Sequence, residues 1–275
     1  MTTNHDDAQL VCEVPYAHAP IPLWRELTAG AEFLALRFSL TYWGVGVPRG
    51  HGEPVIVVPG FLGTDFYLWT LRSWLGRIGY RSYMSDVGRN DKCPDDVLEL
   101  LQRRVVEVHR ETGQRVRLIG HSLGGSISRA AADADSQRIV QVITLGSPIN
   151  GFDVHPIIAG LANVYGVIRD PDSRPHRDAD GHTHDHACSR AVVEALAHRP
   201  PDNVAVSSLY SRTDGVVHWP SSRDPVAERN FEVKASHLGM VVNVEVYREI
   251  ARLLASPPST GSPAPPSRRV PTRRR

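Results

Sequence analysis

The order of apolar and polar positions along the chain predicts strands that alternate with helices. Short apolar runs bounded by turn residues predict strands at 55–58, 80–85, 116–119, 139–145, 204–210 and 231–234. Helices are predicted at 64–77, at 94–111, which starts with a proline and ends before Gly113, at 238–254, and after residue 122. Because such alternation is typical of parallel sheets, the pattern predicts an α/β fold with a mostly parallel central sheet and helices on both faces.

Residues 21–47 form an N-terminal apolar helix region. Charged residues interrupt it too often for a membrane-spanning helix. We expect a helix that packs on the domain through one apolar stripe, and peripheral contact of this helix with lipid remains the alternative. The stripe consists of Leu23, Leu27, Ala31, Leu34 and Phe38.

The rest of the chain divides into three further parts. Residues 1–20 are polar and lack the basic and apolar regions of a secretory signal. Residues 48–255 contain all the predicted strands, so we expect one domain there. Residues 256–275 are rich in Pro, Ser and Arg, which predicts a disordered tail.

Composition excludes some classes of partner and compartment. The formal net charge is only +1, so we expect no nucleic-acid partner. The 3 cysteines, Cys12, Cys93 and Cys188, are scattered and odd in number. They favour a reducing compartment over a disulfide framework, and we expect a cytoplasmic protein.

The segment Leu118-Ile-Gly-His-Ser-Leu-Gly-Gly125 indicates a nucleophilic serine. Ser122 follows a predicted strand, precedes a predicted helix, and lies between Gly120 and Gly124. A tight strand-to-helix turn needs small residues at these two places, because side chains there would collide. The spacing alone occurs by chance, so the strand–turn–helix context carries the interpretation.

A nucleophilic serine needs a base and a residue that orients the base. His237 follows the last predicted strand and Asp214 follows the one before it, so both would emerge at the carboxyl edge of the sheet. We predict His237 as base and Asp214 as its orienter. His218 remains the competing base, and Asp202 and Asp153 are competing orienters.

Two backbone N–H groups are expected to bind the oxyanion of an acyl-transfer intermediate. Leu123 would supply one at the start of the helix that follows Ser122. Phe61 would supply the other from the loop after the first strand, where Gly60 lets the backbone approach.

These motifs resemble the α/β-hydrolase superfamily, and within it the bacterial lipase and esterase branch. The resemblance rests on Val-Val-Pro-Gly-Phe-Leu-Gly-Thr-Asp, Gly-Arg-Asn, the segment around Ser122, Ser-Arg-Thr-Asp-Gly-Val-Val and Ser-His-Leu-Gly-Met, and spans residues 48 to 254. It implies an α/β-hydrolase fold with Ser122, Asp214 and His237 as a triad and Phe61 and Leu123 as oxyanion donors. It also implies a cap insertion at about 150–201.

Large side chains near the nucleophile favour a pocket for an acyl chain. We expect this pocket to be lined by Leu62, Phe66, Tyr67 and His121. The resulting hypothesis is a serine esterase or lipase that acts on a small-molecule or lipid ester of moderate or long acyl length. An acyltransferase with the same triad, and a non-catalytic binding protein, are the alternatives.

A histidine-rich run is the one feature that suggests a metal. His182, His184 and His186 alternate and Cys188 follows, so an extended chain would place them on one face. The run is polar and flanked by charged residues, which favours a solvated loop. We therefore expect no metal site and no cofactor.

Overall fold

The computed structural model of the 275-residue chain describes residues 22–151, 153–164, 176–177, 183–184 and 189–256. The predicted polar segment 1–20, and the predicted tail apart from Ser256, lie outside the described residues. None of the helices in the described part combines the length and the apolar composition needed to cross a bilayer.

A six-stranded parallel sheet forms the centre of the fold. The strands of the described residues are β1 (Pro54–Val58), β2 (Arg81–Met84), β3 (Val116–His121), β4 (Ile139–Leu145), β5 (His176–Arg177), β6 (Thr183–His184), β7 (Ala205–Tyr210) and β8 (Asn230–Glu232). The spatial order in the sheet is β2-β1-β3-β4-β7-β8, and a separate antiparallel pair, β5-β6, lies between β4 and β7 in the chain. In the register, Val57 of β1 lies beside Met84 of β2 and Ile119 of β3. The predicted parallel sheet is confirmed.

Helices cover both faces of this sheet, as predicted. The α-helices are α1 (Ala29–Arg37), α2 (Trp69–Arg77), α3 (Pro94–Thr112), α4 (Leu123–Ala134), α5 (Pro156–Val164), α6 (Arg190–Ala197) and α7 (Val244–Ala255). Short 3-10 helices span Leu23–Thr28, Leu40–Trp43, Trp219–Ser222, Ala227–Arg229 and Leu238–Val242. The chain therefore folds as three layers, helix, sheet and helix.

Two separate apolar cores lie on the two faces of the sheet. One contains side chains of α1, α2 and α7, with Trp74 and Tyr247 in ring contact at 4.4 Å between centroids. The other contains side chains of α3, α4 and α6. Every residue of β1 and of β4 is buried, which explains why these strands are mostly apolar in the sequence, with Gln141 and Thr144 as the polar residues of β4.

The predicted N-terminal helix is instead three short helices, of which the first two are contiguous and the third starts at a cap of its own. The side chain of Ser39 accepts the backbone N–H of Tyr42, and Gly44 ends the segment in a left-handed conformation with φ 77°. The predicted apolar stripe is also wrong, since Leu27 is 85% and Phe38 is 88% exposed. The segment packs through Leu36 and through polar groups described below.

The last predicted helix is divided in the same way. Residues Leu238–Val242 form a 3-10 helix, and α7 begins only after Asn243. The side chain of Asn243 accepts the N–H groups of Glu245 and Val246, so it caps the new helix.

The predicted cap boundary at residue 201 extends too far along the chain. Helix α6 packs against α3 and α4, and its Val192 and Ala195 belong to the core beneath it. It is therefore part of the helical layer. Whether the preceding segment covers the pocket stays a prediction, because residues 165–175, 178–182 and 185–188 lie outside the described residues.

Candidate active site

Three predicted site residues lie just beyond the carboxyl ends of parallel strands. Ser122 follows β3, Asp214 lies in the loop after β7, and His237 lies after β8. Because the strands are parallel, these ends share one edge of the sheet, where open α/β sheets form their sites.

Ser122 occupies a sharp turn between β3 and α4. Its backbone has φ 53° and ψ −130°, a conformation that side-chain-bearing residues rarely adopt. A Cβ atom on Gly120 would lie 2.4 Å from Cα of Gly125, and one on Gly124 would lie 2.3 Å from the carbonyl oxygen of Pro59. Only glycine fits at either place, so the two glycines permit the strained turn.

His237 and Asp214 form a buried pair. Their side chains are joined by Nδ1 of His237 and Oδ2 of Asp214 at 2.8 Å. The other carboxylate oxygen of Asp214 accepts the backbone N–H groups of Val216 and Val217, each at 2.8 Å. These bonds fix the carboxylate so that Nδ1–H of His237 donates to it, which leaves Nε2 free of the proton in the neutral ring.

The surroundings of His237 act on its pKa in opposite directions. Burial lowers the pKa of His237, but the charge and hydrogen bond of Asp214 and the charge of Glu26 outweigh it and raise the pKa above the ordinary value. The imidazolium that forms when this ring accepts a proton is therefore stabilised by two carboxylates.

The competing base and one competing orienter are paired with each other. Nδ1 of His218 lies 2.9 Å from Oδ2 of Asp153, and the backbone N–H of His218 donates to the carbonyl oxygen of Asp153. The third alternative, Asp202, is exposed and precedes β7, so it lies at the opposite end of that strand from Asp214.

The loop after β1 lies against Ser122. A Cβ atom on Gly60 would be 2.9 Å from Cβ of Ser122. The side-chain amide of Asn90 donates to the carbonyl oxygen of Pro59 at 2.8 Å, and the N–H of Leu62 donates to the carbonyl oxygen of Asn90 at 2.8 Å. This loop, which carries Phe61, is therefore held beside Ser122.

Leu123 is the first residue of α4. The first N–H groups of a helix have no acceptor within the helix, so the N–H of Leu123 is available for an oxyanion. Its position after Ser122 is the one that the sequence predicts for an oxyanion donor.

A chain of hydrogen bonds connects the loop after β1 to the backbone of His237. The N–H of Gly60 donates to the hydroxyl oxygen of Tyr67 at 2.8 Å, and that hydroxyl lies 2.9 Å from Nδ1 of His121. Nε2 of His121 lies 3.0 Å from the carbonyl oxygen of His237. Since that carbonyl only accepts, Nε2 of His121 carries the proton and Nδ1 accepts the Tyr67 O–H.

Burial, and then the nearby His237, lower the pKa of His121 to about 3. Burial raises the pKa of Tyr67. Both groups therefore stay neutral at ordinary pH, and the chain from Gly60 to His237 keeps its direction.

The four predicted pocket residues differ in their surroundings. Phe66 is 83% exposed, while Leu62 and Tyr67 are partly buried. His121 is only 3% exposed and both of its ring nitrogens have protein partners. Its predicted role as a pocket wall is therefore wrong, because the ring supports the site from beneath.

The sequence interpretation missed two carboxylates from the N-terminal segment. Glu26 accepts the backbone N–H groups of Gly215, His237 and Leu238. Glu32 accepts the N–H of Ser236 and the side-chain amide of Asn243. In the sequence both appear only as charges that interrupt an apolar segment, and the one hint of their contacts is the glycines at 215 and 239.

Most of the histidine-rich run lies outside the described residues, so a metal site there stays untested. His182, His186 and Cys188 lie outside the described residues. Among the residues that the structure does describe, no three His, Cys, Asp or Glu side chains are grouped as metal ligands.

A family model and two known proteins resemble this chain in sequence. The family model for a PGAP1-like alpha/beta domain matches residues 91–169. A triacylglycerol lipase from Burkholderia plantarii is 28% identical in a 191-residue alignment, and the match covers 60% of this chain and 52% of that protein. A triacylglycerol lipase from Pseudarthrobacter phenanthrenivorans is 29% identical in a 151-residue alignment, and the match covers 46% of this chain and 47% of that protein. The chain thus spans about half the length of these relatives.

Solved structures show the same fold. The mature lipase BlEst2 of Bacillus licheniformis superposes with a TM-score of 0.55 at 20% identity, over 76% of this chain and 95% of that one. A metagenomic carboxyl esterase superposes with a TM-score of 0.52 at 17% identity, over 75% of this chain and 76% of that one. At identities this low, the similarity shows only that the strands and helices are arranged in the same way.

Proposed function

We propose that the chain is a member of the α/β-hydrolase superfamily and acts as a serine hydrolase of carboxylic esters. The proposal rests on the buried pair of His237 and Asp214, which are 2.8 Å apart. The pair lies at the sheet edge where Ser122 occupies its strained turn. A nucleophile, a base and an orienter in these positions perform acyl transfer.

In the proposed reaction, Oγ of Ser122 attacks the carbonyl carbon of the ester while Nε2 of His237 takes the hydroxyl proton. The N–H groups of Leu123 and Phe61 bind the oxyanion of the tetrahedral intermediate. His237 then gives its proton to the departing alkoxide, which leaves as an alcohol and yields an acyl-enzyme. Water, deprotonated by the same ring, attacks the acyl carbonyl, and the ring then gives that proton to the departing Oγ of Ser122, which releases the carboxylic acid and restores the Ser122 hydroxyl.

We propose an ester of moderate or long acyl length as the substrate. The two relatives described as triacylglycerol lipases support a lipid ester. Exposed aromatic side chains near the loop after β1 support it too, since Phe66 is 83% and Trp69 is 63% exposed. An acyltransferase would use the same groups and differ only in the acceptor, an alcohol in place of water.

Contact with a lipid surface is a second part of the proposal. Large apolar side chains of the N-terminal segment face outward instead of into the core, and exposed apolar patches of this kind are typical of interaction surfaces. They include Trp24, Leu27, Leu34, Phe38, Leu40 and Trp43. Sedimentation with phosphatidylcholine vesicles tests this part: a Leu27→Ser, Phe38→Ser variant should lose binding, and Val193→Ser on the opposite helical layer should not.

Hydrolysis of p-nitrophenyl esters of graded chain length tests the enzymatic proposal. The wild type should release p-nitrophenol and Ser122→Ala should not, while Ser73→Ala in α2 serves as a matched control with full activity. Hydrolysis that survives in Ser122→Ala would contradict the proposal. Product analysis with and without an added alcohol separates hydrolase from acyltransferase.

A further inference from the structure

One carboxylate of the N-terminal segment joins the two loops that carry Asp214 and His237. Oε1 of Glu26 accepts the N–H of Gly215 at 2.8 Å and the N–H of His237 at 3.0 Å. Oε2 accepts the N–H of Leu238 at 2.7 Å. Both oxygens are therefore engaged, and each partner is a backbone group next to, or part of, a residue of the proposed triad.

The loops approach this segment closely because they carry glycines. A Cβ atom on Gly215 would lie 2.7 Å from Oε1 of Glu26, and one on Gly239 would lie 2.3 Å from Oε2 of Glu32. Glu32 makes a parallel set of bonds one step further away, to the N–H of Ser236 and to the amide of Asn243. Two similar carboxylates thus hold the same loop, but only Glu26 reaches His237.

The charged and titratable groups around His237 come from three directions. Asp214 faces it from the loop after β7, and His121 lies beneath it with the ring centroids 4.8 Å apart. Glu26 and Glu32 approach from the N-terminal segment. His121 is neutral, so the carboxylates set the local charge.

We propose that Glu26 is a positioning residue for the triad, which holds the Asp214 and His237 loops in register and adds a second negative charge near the imidazole. This inference rests on the proposed function. A charge held by three N–H donors needs no rearrangement during reaction, so it stabilises the imidazolium formed when Ser122 loses its proton. The charge of Glu26 also contributes to the raised pKa of His237.

The test compares Glu26→Gln with the matched variant Glu32→Gln. Glutamine at position 26 keeps the size of the side chain but has no charge. Its NH₂ group cannot accept a hydrogen bond, so it would face a backbone N–H donor without bonding to it. We expect Glu26→Gln to lower the pKa of His237 by about half a unit to one unit. We also expect kcat to fall by about tenfold with KM for a small acetate ester unchanged. Glu32→Gln should leave the pKa of His237 in place.

The pKa is read twice, from the acid limb of kcat/KM and from an NMR titration of the His237 ring. The NMR titration needs no turnover, so it reports on Glu26 even if the chain proves not to hydrolyse esters. A shift in Glu26→Gln alone supports the inference. Equal shifts in both variants, or a loss of activity in Glu26→Gln without any shift, would overturn it, because Glu26 would then only stabilise the fold.

Discussion

Nδ1 of His218 lies 2.9 Å from Oδ2 of Asp153, so the competing base and one of the two competing orienters are paired with each other. The same two residues are also joined through their backbones, N–H of His218 to O of Asp153. This pair connects the loop after β7 to the segment that leads into α5, and both side chains are partly exposed.

The pairing predicts that His218 has no part in the chemistry. His218→Ala should keep kcat/KM for an acetate ester within about threefold of the wild type. The partly exposed pair of His218 and Asp153 contributes little to folding stability, so its loss should leave the fold intact. His237→Ala should lower it by at least about a thousandfold, because loss of the base alone removes most of the chemistry. The reverse order of effects would show that His218 is the base.

Asp214→Asn should impair catalysis while the fold remains. Its Oδ1 can still accept the N–H groups of Val216 and Val217, but an amide NH₂ facing His237 favours the wrong imidazole tautomer. We expect a loss of about 10⁴-fold in kcat, by analogy with the same change in a serine protease triad. Unchanged thermal unfolding is the control, and a loss of tenfold or less would mean that another group orients His237.

The pH dependence follows from the raised pKa of His237. The ring must be neutral to take the proton of Ser122, so activity is low below its pKa and rises as the pH passes through it. The acid limb of kcat/KM should therefore lie above the ordinary histidine value of about 6.5. His121 adds no ionisation in this range, as its pKa lies at about 3. A limb at or below the ordinary value would contradict the assignment.

Tyr67→Phe tests the hydrogen-bond chain beneath the site. The change leaves the N–H of Gly60 and Nδ1 of His121 without their partner, which should cost about 1–3 kcal/mol of unfolding free energy. Because Gly60 lies against Ser122, we also expect kcat to fall by about tenfold. Tyr83→Phe is the control, since its hydroxyl donates to the exposed Glu111 and its loss should change little.

Alanine should have opposite effects on folding stability at two glycines in helices, one beside the turn at Ser122 and one in α2. Gly124→Ala places a Cβ atom 2.3 Å from the carbonyl oxygen of Pro59, so it should destabilise the fold by about 3 kcal/mol. Gly76→Ala in α2 meets no atom within 4 Å and should stabilise by up to about 1 kcal/mol. Denaturant unfolding measures the free energy of unfolding of both variants. Similar changes in Gly124→Ala and Gly76→Ala would contradict the close packing of the turn.

Much of the fold and the edge where the site lies follow from the sequence. Buried parallel strands such as Ile139–Leu145 are apolar at most positions, with Gln141 and Thr144 as the exceptions in this strand, so local pattern identifies such strands. Ser122, Asp214 and His237 each follow a predicted strand, and parallel strands place their carboxyl ends together. Topology therefore brings them to one edge without knowledge of any contact.

The features that sequence could not supply depend on contacts between distant positions. Glu26 and His237 are 211 residues apart, and local pattern interprets Glu26 as a solvent-facing charge. The apolar stripe of the N-terminal helix failed for the same reason, because the segment is held by carboxylates and Leu36 while Leu27 and Phe38 face outward. His121 was misplaced because a polar ring beside a nucleophile resembles a pocket wall until its two partners are known.

In the proposed mechanism, Ser122 is a nucleophile that His237 activates. The most direct measurement is peptide mapping by mass spectrometry after reaction of the intact protein with a fluorophosphonate probe. We expect one adduct, on Ser122, whose rate of formation falls at least about a thousandfold in His237→Gln and is unchanged in His218→Gln. No adduct, an adduct on another serine, or equal labelling of the wild type and His237→Gln would contradict it.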